Sequence, residues 1–354
     1  MPQPPAPTRD ASRKIHRPPG VGRARRAVLA ASRPEPWRRG PVPTALALLL
    51  GLLMLAHAQI PNRPWNLGSL VETFLPWLGL GIPVLLAGSL WRRSASAVVA
   101  LLLPLVVWTC LFGGLLVDKS HPDADLTVAT HNVGAANPDP VGTARALAAF
   151  GADLLALEEL TPQTTDTYRK ELGSTYPHHA VLGTVGLWSK LPLSDTQPID
   201  IMNYGPLKTS LPPDRNSLET RALRTTVTTE NGTLTVFVAH LGSVRLTPKS
   251  GFWTGSRNIG VEALGKAIAA EQNDRVILLG DLNGTTDDRA LAPITSQMRP
   301  AQKTAGQGFG FTWPAAFPVV RADEILTRTL TLTTSRTLPA TPSDHLPIAA
   351  TITW

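Results

Sequence analysis

At 354 residues the chain has room for about two domains. Apolar residues make up 43% and charged residues 17%, which excludes a disordered chain, and a single cysteine excludes both a disulfide scaffold and a Cys-rich zinc site. The net charge of +7 is unevenly placed: residues 1–117 carry 13 Lys/Arg against 3 Asp/Glu, whereas residues 118–354 carry 20 against 23. The basic character therefore belongs to the N-terminal third, and the larger part carries no nucleic-acid footprint.

Residues 1–40 hold ten Lys/Arg and several prolines without apolar periodicity, so they read as a basic, disordered cytoplasmic tail. Three apolar stretches follow, at 42–60, 74–91 and 95–117, each free of Lys, Arg, Asp and Glu. Each approaches the ~20 residues that cross a ~30 Å hydrocarbon core as a helix. Residues 41–118 thus read as a three-helix transmembrane anchor. A cleaved signal peptide fits poorly, because the basic region is long and two more apolar stretches follow. The tail is basic, the first loop carries only Arg63, and the second carries Arg92 and Arg93. The positive-inside rule then puts the N terminus in the cytoplasm and, after three crossings, residues 119–354 outside the cell.

Those residues alternate between strand and helix patterns. Residues 125–133, 153–160, 181–189, 221–229, 233–240, 275–280, 323–326 and 348–354 read as strands, and 141–150 and 256–271 as helices. Glu230-Asn231-Gly232 is a hairpin signal between two alternating runs. Many strands with few helices between them point to two packed sheets rather than one parallel sheet.

Polar residues recur where these strands end: Asn132 after LTVATH, Glu158 and Glu159 after DLLAL, His240 after TVFVA, Asp281 and Asn283 in GDLNG, Asp323 opening DEIL, and Asp344 and His345 in SDHLP. Apolar strands ending in acids, amides and imidazoles make a catalytic rim, because rigid strands fix geometry and their ends meet substrate. Asn, Asp and Glu are hard oxygen ligands suited to Mg²⁺ or Mn²⁺, and such an ion clamps phosphate oxygens. A histidine oriented by an aspartate serves acid–base work or charge stabilisation. Together they predict metal-assisted phosphoester hydrolysis. Taken singly, each piece has a bland reading, GDLNG for instance as a capped β-turn. His131, His178 and His179 match no motif and read as structural or solvated, and Trp253 and Trp313 read as packing residues that could touch substrate or lipid.

In order and spacing these motifs resemble the endonuclease/exonuclease/phosphatase superfamily, which includes DNase I, exonuclease III-like repair nucleases, neutral sphingomyelinases and inositol-polyphosphate 5-phosphatases. The resemblance covers residues 124–354. It implies an α/β fold, a four-layer sandwich with two packed central sheets, and it assigns roles by position. Asn132, Glu159 and Asp344 would belong to the metal shell. Asp281 would orient or deprotonate the attacking water, and Asn283 would position it. His345, oriented by Asp323, would stabilise charge on the phosphoryl group, and His240 would assist the leaving group. Glu158 stands where the family commonly has Gln. No second acid follows Asn132, and Arg221 is the best candidate for gripping substrate.

The arrangement of three spans plus this domain also resembles actinobacterial membrane proteins of the VanJ type, associated with teicoplanin resistance. That resemblance implies an outward-facing phosphatase acting on a lipid-linked phosphate or pyrophosphate of cell-wall synthesis, with the bilayer and the lipid substrate as its partners. The alternatives are a membrane-tethered extracellular nuclease, nucleic acid being the less favoured partner, and a catalytically dead membrane scaffold.

Overall fold

The computed structural model describes residue 1 and residues 40–202 and 220–354. All but the two ends of the expected basic tail lies outside the described residues. The apolar region forms helices α1 (Pro41–Leu55), α2 (Leu67–Thr73), α3 (Gly81–Trp91), α4 (Ala95–Ala100) and α5 (Leu102–Phe112). A 3₁₀ turn, Leu75–Leu80, joins α2 to α3. Ser94 caps α4 by accepting the Ala97 backbone N–H at 3.3 Å.

The three expected spans are not all present as such. One helix, Ala95–Leu115, made of α4, α5 and a last 3₁₀ turn, is long and apolar enough to cross a membrane, at 21 residues. The second stretch, 74–91, is the helical run Leu75–Trp91, which is apolar and long enough only when joined to Leu67–Thr73, and the two meet at 67°. The first is shorter than its apolar run, because α1 stops at Leu55 after 15 residues, about 23 Å at 1.5 Å per residue. Length and composition thus allow one span, or two if the bent pair crosses as a unit.

The larger part holds β1 (Leu126–Asn132), α6 (Pro140–Phe150), β2 (Leu154–Glu158), α7 (Pro162–Leu172), β3 (His178–Leu182), β4 (Val185–Ser189) and β5 (Leu193–Pro198). After the undescribed segment come β6 (Ala222–Thr229), β7 (Gly232–His240), β8 (Arg245–Thr247), β9 (Gly251–Trp253), α8 (Gly255–Ala270) and β10 (Val276–Asp281). The chain closes with β11 (Arg299–Pro300), β12 (Asp323–Arg328), β13 (Thr331–Thr337) and β14 (Ile348–Thr353). Two six-stranded sheets result, in the orders β13-β14-β1-β2-β4-β3 and β11-β12-β10-β7-β6-β5. The expected strand 181–189 is instead the hairpin β3–β4, turned at Gly183, whose φ is +62°.

Two parallel pairs, β1–β2 and β7–β10, are centred one in each sheet. A parallel pair needs a crossover, and α6 and α8 supply them. Each helix lies on the outer face of its own sheet, which leaves the inner faces to meet. The period-2 pattern shows this along β10: Ile277 and Leu279 enter the inter-sheet core with Val128, Leu154, Ala156, Val236 and Val238, while Val276 and Leu278 join α8 residues Leu264 and Ile268. On the far side Leu155, Leu157 and Trp188 pack with Leu147 of α6 and Tyr168 of α7. The order helix, sheet, sheet, helix is the expected four-layer sandwich.

The inter-sheet core is fully dry at Leu279, which is 0% exposed. Leu279→Ala should destabilise the fold by about 2–5 kcal/mol, read from denaturant unfolding midpoints; a loss well under 1 kcal/mol would contradict the close packing of the two sheets.

Candidate active site

The parity that builds the core also aims the polar strand ends. In β10, Ile277, Leu279 and Asp281 share one face, as do Val236, Val238 and His240 in β7. Register completes the alignment: Asp281 pairs with His240 on one side and Asp323 on the other. Asn132 pairs with Glu158 in the opposite sheet. One rung of each sheet therefore carries the chemistry. Gly280 permits this close alignment, with φ +143°, because a Cβ there would lie 1.9 Å from the Ala239 carbonyl oxygen.

Asp281 is the meeting point. Its Oδ1 accepts the backbone N–H of Asn283 at 2.8 Å, and its Oδ2 accepts the amides of Asn132 at 3.0 Å and Asn283 at 3.3 Å. Nε2 of His240 and Nε2 of His345 stand 3.7 and 3.8 Å from the same Oδ2. Asn132 also donates to Glu159 Oε1 at 3.2 Å, and the Ala135 backbone N–H binds Glu159 Oε2 at 2.9 Å. Glu159 and Asn283 are both held at positive φ, +58° and +48°. Such backbone is costly for non-glycine residues and is retained where a side chain must be aimed.

The two histidines have opposite environments. His345 donates its Nδ1–H to Asp323 Oδ2, 2.8 Å away. Burial alone would depress its imidazole, but the charge and hydrogen bond of Asp323, with the charges of Asp281 and Asp344, lift it to about 10. It is an imidazolium at neutral pH. His240 is held far below its ordinary value by burial first and then by the charges of Arg221 and His345. Its Nε2 meets Arg221 Nη2 at 2.6 Å, so this neutral ring accepts there and carries its proton on Nδ1, a buried atom with no partner. Burial, and then the neighbouring Asp323, raise the Asp281 carboxyl. Burial also raises Glu158, whose Oε1 accepts the Thr130 hydroxyl at 2.7 Å.

Among the described residues, Asp281, Asp323 and His345 offer ligand atoms within 4.8 Å of one another. A charged imidazole bound to its own aspartate is a poor metal ligand, however, so the oxygen donors decide the fit. Glu159 and Asp281, bridged by the Asn132 amide, are hard donors suited to Mg²⁺ or Mn²⁺. Glu158 Oε2 and Asp323 Oδ1 are buried carboxylate oxygens without a hydrogen-bond partner. A nearby cation would relieve that imbalance.

The site opens into a cleft of about 410 Å³, lined by Glu159, Asp281, Asn283, Asp344 and His345 among others. Asp344 sits apart from the buried trio: it is exposed, and its Oδ2 accepts the Trp313 indole N–H at 3.2 Å. Arg221, bound to His240 and to the Leu241 carbonyl, does not line the cleft. Trp313 does, as does Arg321, a buried cation paired with Glu324 at 3.1 Å whose Nη2 has no partner. Arg321 lies two residues before Asp323, a signal the motif reading passed over. Thr73 and Phe74 also line the cleft, and nothing local marks them within an apolar stretch. His131 is structural, buried and bound through Nε2 to Thr341 Oγ1 at 2.8 Å.

Two facing sheets with an acid, amide and imidazolium rim over a cation-suited oxygen cluster define a phosphoester hydrolase. The model of the Endonuclease/Exonuclease/phosphatase family matches residues 129–345, more than half of the chain, and the chain belongs to that family. Among solved structures it is similar to the endonuclease/exonuclease/phosphatase of Bacteroides vulgatus, at 17% identity and TM-score 0.52, covering 65% of this chain and 99% of that one. The mannosyl-6-phosphatase of Bacteroides thetaiotaomicron shares 14% identity at TM-score 0.50, over 65% of this chain and all of that one. D. rerio TDP2 in complex with a single-strand DNA product shares 19% at TM-score 0.52, over 66% of this chain and 100% of that one. These identities establish a shared fold. No curated protein matches the chain in sequence.

Asp323→Asn keeps the size of a fully buried side chain but removes the charge that holds His345 protonated. Phosphate release should fall about 10²–10⁴-fold with circular dichroism unchanged. A loss under twofold would separate the Asp323–His345 pair from the chemistry.

Proposed function

We propose that the protein is a membrane-attached, divalent-metal-dependent phosphoesterase that removes phosphate from a lipid-linked phosphate or pyrophosphate, of the undecaprenyl type used in cell-wall synthesis. The observation that carries this reading is the position of the cleft. Asp281 and His345 share its walls with Thr73 and Phe74, which belong to the apolar helical region. That region exposes large apolar side chains on several faces, among them Leu49 at 61%, Val84 at 70% and Leu102 at 57%. A helix apolar all round with such exposure needs lipid or a partner to cover it.

The residues divide the work as follows. Asp281, raised by burial and held by Asn132 and Asn283, takes the proton of an attacking water. His345, kept charged by Asp323, faces the charge that develops on the phosphoryl oxygens. Asn132 and Asn283 fix the carboxylate that must meet that water. Glu159, aimed by its strained backbone, would hold a divalent ion beside Asp281. Such an ion neutralises phosphate charge and polarises the P–O bond. Arg321, whose charge is paired with Glu324, still presents an unpartnered Nη2 at the cleft wall, a donor suited to a phosphate oxygen.

Membrane attachment in this reading rests on Ala95–Leu115. Residues 57–80 bond to the catalytic domain, so both lie on one side of the bilayer. Ala95–Leu115 must then be paired with a return crossing through Gly81–Trp91. With the basic tail inside, the domain is outside when Pro41–Leu55 crosses too. A reporter fused after Trp354 should therefore be active only outside the cell; cytoplasmic activity would overturn the orientation. The resemblance to VanJ-type proteins extends the reading to teicoplanin resistance through recycling of the lipid carrier.

The deciding experiment is a substrate panel on the full chain in detergent with Mg²⁺ or Mn²⁺, comparing a prenyl pyrophosphate, sphingomyelin and duplex DNA. Phosphate release from the prenyl substrate, abolished by chelation and restored by the ion, is the expected result. DNA cleavage without prenyl phosphate release would establish the nuclease reading instead.

A further inference from the structure

We infer that the N-terminal apolar segment, residues 57–80, builds the substrate-selecting wall of the active site, with Phe74 reading an apolar chain attached to the reacting phosphate. This inference rests on the phosphoesterase reading and assigns to it a specificity residue outside the family domain, which spans residues 129–345.

The cleft has two kinds of lining: the catalytic acids, amide and imidazole, and the apolar residues Phe74, Val244, Leu246, Phe252, Trp313 and Val320. These six come from three separate pieces of chain, and the segment 57–80 holds all three. Phe74 is part of it. The hairpin β8–β9, which carries Leu246 and Phe252, docks on Trp65: the Phe252 backbone N–H binds the Trp65 carbonyl at 3.1 Å. The loop bearing Trp313 and Val320 is fixed by Trp77, whose indole N–H binds the Val319 carbonyl at 2.7 Å and whose ring stacks on Phe311 at 5.5 Å.

A charged lock seats the segment. Glu72, 0% exposed, pairs with Arg289 Nε at 3.0 Å, accepts the Arg289 backbone N–H at 3.1 Å and meets His57 Nδ1 at 3.2 Å. Arg289 donates in turn to the carbonyls of His57, Ala58 and Ile60. Ser69 donates to Asp288 Oδ1 at 3.0 Å, and Asp288 Oδ2 holds the buried Arg257 at 2.6 Å. Arg257 reaches the Asn283 carbonyl at 3.4 Å. The apolar segment is thus bonded through three side chains to the turn that carries Asn283.

The chemistry of the wall names its occupant. An ester substituent on a phosphoryl group at Asp281 and His345 shares the cleft with these apolar residues. A nucleic acid would need a basic groove along its backbone, whereas the lining cations here are the exposed Arg245 and the Glu324-paired Arg321. Phe74, Leu246 and Trp313 remain 38%, 77% and 41% exposed at the mouth, the state of a wall awaiting an apolar ligand. Each methylene buried there should favour binding about fourfold.

The test uses the full chain in detergent with Mg²⁺. It measures the ratio of kcat/KM for a C15 prenyl phosphate to that for p-nitrophenyl phosphate, and the affinity for dodecyl phosphonate, whose C–P bond is not hydrolysed. Phe74→Ala should lower the ratio about 10-fold and weaken phosphonate binding to match, and Phe74→Leu should restore most of both. An unchanged ratio in Phe74→Ala overturns the inference, as does a single-stranded oligonucleotide whose cleavage is the reaction that Phe74→Ala weakens most. Should the unmodified chain release phosphate from neither ester, the phosphoesterase reading itself fails, and that result is distinct from an active enzyme indifferent to Phe74.

Discussion

The 3.0 Å hydrogen bond from Asn132 to Asp281 joins the last inward side chain of β1 to the last inward side chain of β10, one from each sheet. Everything at the site is arranged about it. It can form only if both sheets keep register to their ends, because a slip of one residue turns every side chain to the opposite face. Two rungs are fixed in this way: His240–Asp281–Asp323 in one sheet and Asn132–Glu158 in the other. The dry core behind them supplies the rigidity. The polar ends sit where the sheets part, where a side chain can be buried on its flanks and still face a cleft.

How much of this was legible in the sequence follows from which interactions are local. Central strands declare themselves by apolar runs, so β1, β2, β7, β10 and β14 lie within a residue or two of the expected ranges. Edge and polar elements do not. The helix α7, PQTTDTYRKEL, has few apolar residues and is started by the Thr161 cap, and β13, TLTTSRT, is a threonine-rich strand bound to β14. Among site residues, the motif order located Asn132, Glu159, Asp281, Asn283, Asp323 and His345, and the structure brings them together. Phe74 was invisible because its relevance comes from contacts across more than 80 residues of chain, whereas Arg321, two residues before Asp323, was passed over. The anchor was over-counted for a similar reason: composition reports apolar length, and neither the stop of the first helix at Leu55 nor the 67° bend before Leu75 changes composition.

The joint between the apolar region and the catalytic domain is unusual in its polarity. Burying Glu72, Asp288 and Arg257, each at most 1% exposed, costs desolvation that a hydrophobic contact would avoid. What charged groups give in return is a single geometry, since a buried carboxylate with several donors cannot slide as a greasy face can. The aromatic contacts beside it, Trp108 with Phe112 and Phe309, and Phe309 with Phe311, supply the apolar area. A flexible tether would need neither. The fixed joint makes sense where the position of the helices bears on catalysis, and the cleft residues Thr73 and Phe74 lie one and two positions beyond Glu72.

The electrostatics of the rim follow from the same packing. Two histidines within 4 Å of one carboxylate oxygen would both charge if exposed to it in water. The fold separates them: His345 receives a dedicated aspartate, while His240 is buried beside the Arg221 guanidinium, which excludes a second cation. One site therefore holds a fixed positive charge and a neutral acceptor around a carboxylate made more basic by burial. That division is what phosphoryl chemistry at neutral pH requires, with a base able to take a proton and a cation ready for the charge that its removal creates. It needs no acid beyond those the strand rungs already align, so the register that closes the core also sets the protonation states.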